Sequence, residues 1–149
     1  MKINPFGKNL NSLSLKPRRN ANKFSSRKAF TQGLDYTLKN YEKLKTNVFI
    51  AEQVPQQVID PKHIYYRSFD YDLFKFNNKL VDYSLSFDLH SKHQSFVKKT
   101  LNRFNIKYKN LTLINFDDIF CNKDKNKCLV GNEKYSFYSD HSHLSKNGA

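Results

Sequence analysis

Apolar residues recur along this chain in two rhythms. Between Ser26 and Leu44, Phe30, Leu34, Leu38, Tyr41 and Leu44 follow one another at three- and four-residue steps, with Asp35, Lys39, Asn40 and Lys43 between them. That spacing gathers the apolar set on one face of an α-helix, with Ser25 or Ser26 as its cap. Val48-Phe-Ile-Ala51 is instead continuous and short, the pattern of a strand buried on both faces, and Pro55 stops it because proline cannot donate to a ladder. A second helix is predicted from Ser91, where Ser91 and Gln94 form a capping box. Val97, Leu101 and Phe104 make its inner stripe, and Lys92, Lys98, Lys99, Asn102 and Arg103 face water. Leu111–Phe116 reads as a second strand running into Asp117-Asp118. Leu129-Val130 and Tyr135–Tyr138 flank Gly131-Asn132, a two-residue hairpin signature. Helix, short loop and buried strand in succession predict an α/β sheet.

The remaining stretches have no clean period. Residues 1–24 carry Pro5, Gly7 and Pro17 and read as loop. Residues 56–89 are rich in Tyr and Phe with scattered Asp, and Asp60-Pro61 marks a turn. Tyr65, Tyr66, Tyr71 and Phe74 have rings that can stack on bases or sugars, but packing is the simpler use of them. Asp70 and Asp72, the one conceivable carboxylate pair for a metal, read as solvated.

Charge adds an asymmetry. The chain has 149 residues and a formal net charge of +13, from 26 basic and 13 acidic side chains. Residues 1–28 contain Lys2, Lys8, Lys16, Arg18, Arg19, Lys23, Arg27 and Lys28 and no acid, and are expected to form an irregular basic leader before a domain at 29–149. Such an arm is chemically suited to nucleic acid, anionic lipid or acidic polysaccharide. No run of about 18 apolar residues is present to span a bilayer, and the first twenty residues lack the apolar centre of a signal peptide.

The chemistry-bearing residues crowd the last thirty positions. Cys121 and Cys128 bracket a polar loop, NKDKNK. A disulfide is expected, contributing about 2–2.5 kcal/mol on the loop-entropy model and fitting an oxidising compartment. The alternatives are free thiols, or a metal site completed by His141 and His143. Asp140 and His143 lie three apart. A carboxylate at that spacing can fix the tautomer of the imidazole and leave its other nitrogen as general base toward a hydroxyl. The competing reading makes Asp140 a helix cap and His143 a surface residue. An Asp-x-x-His step arises by chance roughly a third of a time in a chain of this composition, so the motif needs its context. His90 and His93 lack a third ligand for a metal. Glu52, Gln53 and Gln56 lie beyond the first strand and read as ordinary loop.

That context resembles a known family. Cys-x6-Cys followed by a hairpin ending Tyr-x-Asp-x-x-His-Leu-Ser-x-x-Gly-Ala is similar to the C-terminal end of the SGNH-type domain fused to acyltransferase family 3 membrane proteins. Ile50-Ala-Glu-Gln-Val-Pro55 and Asn115-Phe-Asp-Asp-Ile-Phe-Cys121 resemble two of its strand ends. The likeness runs over about residues 29–149. It implies an α/β fold, a partial three-layer SGNH-hydrolase-like (flavodoxin-like) parallel sheet with a C-terminal hairpin. It also implies O-acylation of sugar hydroxyls on bacterial envelope polysaccharide, such as lipopolysaccharide, in the periplasm or on the envelope face. Asp140 and His143 become two members of a Ser-His-Asp triad, with a membrane acyltransferase domain as partner, a polysaccharide acceptor, no cofactor and no metal. The family's Gly-Asp-Ser nucleophile block and oxyanion-hole blocks are not recognisable here. Gly7, Gly33, Gly131 and Gly148 are the only glycines. The resemblance therefore implies the C-terminal portion of an SGNH domain, with its nucleophile on other sequence. A small basic nucleic-acid-binding protein is the alternative in another class, although no helix-turn-helix, zinc-finger or RNP pattern supports it and nucleic acid is not the expected partner. An inactive truncated reading frame is the third.

Overall fold

The computed structural model describes residues 22–66 and 73–149, and for 73–77 only the backbone. Asp70, Tyr71, Asp72, the Phe74 side chain and positions 1–21 of the basic arm lie outside the described residues. In chain order the elements are α1 (Lys23–Lys43), β1 (Val48–Ala51), α2 (Pro61–Tyr66), α3 (Leu73–Tyr83), β2 (Leu85–Ser86), α4 (Phe87–Lys107), β3 (Leu111–Ile114), α5 (Asp117–Phe120), β4 (Cys121–Asn122) and β5 (Lys127–Cys128). They form a mixed α/β structure with one parallel and one antiparallel sheet. The chain divides into two compact units, each with its own core: unit 1 takes residues up to Ala51 and Phe96–Ile114, and unit 2 takes Glu52–Ser95 and Asn115–Ala149.

In unit 1, α1 starts earlier than its apolar period suggested. Asn22 is the cap: its side chain accepts from the Ser25 N–H at 2.9 Å, and the Ser25 hydroxyl accepts from the Asn22 N–H at 2.9 Å. This reciprocal box satisfies two N–H groups that a helix start leaves orphaned. Lys23–Lys28, expected to close the irregular leader, are therefore the first turns of a helix. Leu38 is buried, Phe30 and Leu34 are half-buried, and Tyr41 and Leu44 are exposed, so the apolar face ends a turn before the periodicity does. β1 and β3 pair in parallel, Val48 against Leu111 and Ala51 against Ile114. Leu34, Leu38, Phe104, Tyr108 and Leu111 pack with Val48, Ile50 and Leu113 in one cluster. The strands were expected to be buried on both faces. Instead they alternate, with Phe49 66% and Ile114 42% exposed, because α1 and α4 line only one side of the pair.

In unit 2, the antiparallel sheet has the order β2-β5-β4, with Leu85 and Cys121 both opposite Cys128. Ile64, Leu80, Val130 and Tyr138 form its buried cluster, with Val54, Ile59, Tyr65, Phe137 and Leu144 against it. α4 begins at Phe87, four residues before the predicted box. Asn126 accepts from the Asp88 N–H at 2.9 Å and Ser86 from the Leu89 N–H at 3.3 Å, which supplies the caps from elsewhere. Gln94 is buried inside the helix and donates to Gln53 at 2.9 Å. The hairpin also turns one step later than predicted. Gly131 bridges Ser136, and the reversal is made by Asn132, whose side chain accepts from the N–H groups of Lys134 and Tyr135 at 2.9 and 3.0 Å. Gly131 is required by close approach: a Cβ there would collide with the Tyr65 hydroxyl and the Tyr135 carbonyl.

Candidate active site

The C-terminal hairpin ends in a second, tighter reversal. Tyr138 is buried, Leu144 packs on the same cluster, and the two bridge across an isolated antiparallel pairing. Between these apolar anchors lie five polar residues, Ser-Asp-His-Ser-His, which have no core to enter and must form a loop. The Ser139 N–H donates to the His143 carbonyl at 2.8 Å and closes it.

Asp140 shapes the loop with one oxygen and addresses the imidazole with the other. Oδ1 accepts from the Ser142 N–H at 2.7 Å, the His143 N–H at 2.9 Å and the Ser142 hydroxyl at 3.2 Å. Oδ2 lies 2.8 Å from His143 Nδ1. The Ser142 N–H, then the His143 ring, then the His143 N–H hold the Asp140 carboxyl far below the usual aspartate range. A carboxylate kept ionised in this way places the imidazole proton on Nδ1 and leaves Nε2 with its lone pair. The His143 side chain is 78% exposed, and no described residue bonds to Nε2. The contact drawn from the sequence is therefore present, and it opens outward. The helix-cap alternative is not what forms: 139–147 holds turns and a bridge, with no helix.

No serine of the loop stands as nucleophile toward that nitrogen. The Ser142 hydroxyl is 3.4 Å from Nδ1, the nitrogen already taken by Asp140. The Ser139 hydroxyl donates to the His143 carbonyl at 3.2 Å and that of Ser145 to the Ser136 carbonyl at 2.7 Å.

Support for the loop comes from Gln57, which the sequence reading passed over. Its N–H donates to the His141 carbonyl at 2.7 Å, its side-chain N–H to the Cys128 carbonyl at 3.1 Å, and its amide oxygen accepts from the Leu85 N–H at 3.1 Å. The residue is 2% exposed, so one buried amide ties the loop to both neighbours in the β2-β5 pair. Its only sequence mark is a polar residue two places after Pro55 in the Gln-x-Pro-Gln-Gln segment. Cys121 and Cys128 form a disulfide, which removes the free-thiol and zinc alternatives and leaves His141 and His143 without those partners. Among the described residues no group of three or more His, Cys, Asp or Glu is arranged to hold a metal.

A second histidine–aspartate pair went unseen in the sequence. His90 Nε2 lies 3.0 Å from Asp117 Oδ1, with side chains 1% and 11% exposed. Asp117, expected at a turn, is buried, while its neighbour Asp118 is exposed and meets Lys123 at 2.6 Å. His93 is not part of that pair; burial, then the neighbouring His90, lowers its pKa.

Comparison with known proteins gives one match. A family model described as the SGNH domain (fused to AT3 domains) matches residues 7–149. No curated protein and no solved structure matches the chain.

Proposed function

The chain belongs to the family of SGNH domains that are fused to AT3 domains, and from that premise we propose that it serves acyl transfer to sugar hydroxyls of envelope polysaccharide, with His143 as general base and Asp140 as the residue that orients it. The observation that carries this reading is the 2.8 Å contact between Asp140 and Nδ1 on a loop whose Nε2 faces outward. In the first half-reaction an alcohol nucleophile attacks the acyl carbonyl of the donor while its proton passes to Nε2. Asp140 stabilises the imidazolium, which returns the proton to the departing group. In the second, a sugar hydroxyl loses its proton to Nε2 as it attacks the acyl-enzyme, and the nucleophile recovers its proton as the ester forms on the sugar. We place the serine nucleophile and the oxyanion donors outside this chain, since no loop serine faces Nε2 and no Gly-Asp-Ser occurs. The acyl donor is then a membrane-embedded AT3 domain of the same polypeptide. The disulfide suits an oxidising envelope compartment, and none of the described helices is long and apolar enough to cross a membrane.

Hydrolysis of p-nitrophenyl acetate tests the assignment. The isolated chain is expected to hydrolyse it no faster than free imidazole does. Robust turnover abolished by His143→Ala would place the nucleophile within this chain. Robust turnover indifferent to His143→Ala would remove His143 from the reaction.

A further inference from the structure

Formal charge is divided unevenly between the units. In the described residues of unit 1, eleven Lys and Arg stand against two acids, Asp35 and Glu42, a net of +9; in those of unit 2, nine stand against nine. The excess on unit 1 surrounds a concave feature. α1 and α4 frame an open groove of about 240 Å³ lined by Thr31, Gln32, Asp35, Arg103, Phe104 and Lys107. Small-molecule pockets usually run from roughly 300 to 1,000 Å³, so this one has room for about one unit of a chain-like ligand. Lys99, Arg103 and Lys107 follow at four-residue steps along α4, and Lys28 and Lys39 lie about one turn before Gln32 and one turn after Asp35 on α1.

The lining narrows the kind of anion. Asp35 accepts from Lys107 at 2.7 Å and from the Tyr108 hydroxyl at 2.8 Å, which hold it ionised and consume the Lys107 charge. Arg103 has no acid within ion-pair distance among the described residues, and its guanidinium lies 5.1 Å over the Phe104 ring. A free, planar, five-donor group there matches a carboxylate or phosphate. The Asp35 carboxylate repels a phosphodiester but accepts from hydroxyls, as do the Gln32 amide and the Thr31 hydroxyl. Phe104 gives the floor an apolar patch for a C–H face.

We propose that the α1–α4 groove binds a carboxylate-bearing saccharide, a uronate-type unit of an acidic glycan, with Arg103 on the carboxylate and Thr31, Gln32 and Asp35 on hydroxyls. The assignment does not depend on acyl transfer, because the groove belongs to unit 1 and the Asp140–His143 pair to unit 2.

Isothermal titration calorimetry on the full chain tests it, with trigalacturonate, maltotriose and a short single-stranded DNA of matched charge as ligands. Trigalacturonate is expected to bind at least tenfold more tightly than either of the others. Arg103→Ala is expected to weaken it at least tenfold, and the charge-neutral Gln32→Ala at least threefold, with unchanged far-UV circular dichroism. Lys98→Ala, on the same helix outside the groove, is expected to cost less than twofold. Equal or tighter binding of DNA, equal losses in Lys98→Ala and Arg103→Ala, or no measurable trigalacturonate binding would overturn the proposal.

Discussion

The two histidine–aspartate pairs of unit 2 are chemically alike and physically opposite. His143 and Asp140 are three residues apart, on a loop, with the imidazole 78% exposed. His90 and Asp117 are 27 residues apart and sealed, at 1% and 11% exposure. An ion pair facing water contributes little to folding but can exchange a proton with whatever arrives. A buried pair is held by its surroundings, and loss of either partner leaves an unsatisfied group in a medium that cannot solvate it. The contrast separates a pair placed for chemistry from a pair placed for architecture.

The largest effect should come from the exposed side of that contrast. In the polypeptide carrying both the SGNH and AT3 domains, His143→Ala is expected to lower acyl incorporation into polysaccharide by about 10³-fold or more, the scale of losing a triad base. The thermal midpoint should hardly move. A wild-type level of incorporation would end the distinction. The buried side should behave in the reverse sense. His90→Ala or Asp117→Ala is expected to cost about 3 kcal/mol of unfolding free energy in urea titrations, and an unchanged midpoint would show that burial is not what distinguishes the pairs. Gln57→Ala sharpens the comparison, because it touches the exposed loop through a buried amide. Leaving the Cys128 carbonyl and Leu85 N–H unsatisfied should cost about 2 kcal/mol, and the His143 ring resonances should broaden as the loop loses its anchor at His141.

The smallest effect is one of pH. Asp140 has its folded pKa depressed, chiefly by the Ser142 N–H, so its contribution is present above the ordinary aspartate value of 3.8 and is lost only as pH falls through the depressed one. The amide resonances of Ser142 and His143 are expected to report no protonation of Asp140 between pH 7 and 4, and to move only in stronger acid. A midpoint near 3.8 would mean that the loop is open in solution.

Elements with local signatures were legible in the sequence, and those assembled from afar were not. The Asp140–His143 contact, the disulfide, α1, α4 and both strands of the parallel pair follow from spacing within a few residues. The cap of α1 lay one turn earlier because Asn22 and Ser25 supply a box that apolar periodicity does not register. α4 began early because Asn126, 38 residues away, caps Asp88. His90, Asp117 and Gln57 were invisible for the same reason: their partners are 27, 28 and 71 positions away, and nothing local distinguishes them from solvated polar residues. The one misjudged burial, the two-sided strand, came from reading hydrophobicity as cover. VFIA records what a strand can bury, not whether a second layer is there to bury it.

That uncovered side of the β1–β3 ribbon, with Phe49 and Ile114 turned to solvent, has a bearing on the bench. A short parallel ribbon with a greasy face is adhesive. Preparations of the lone polypeptide should lose material as they are concentrated and bind dyes such as ANS even when well folded. Phe49→Lys, on a side chain that contributes nothing to the interior, should make the protein easier to handle without altering how it folds.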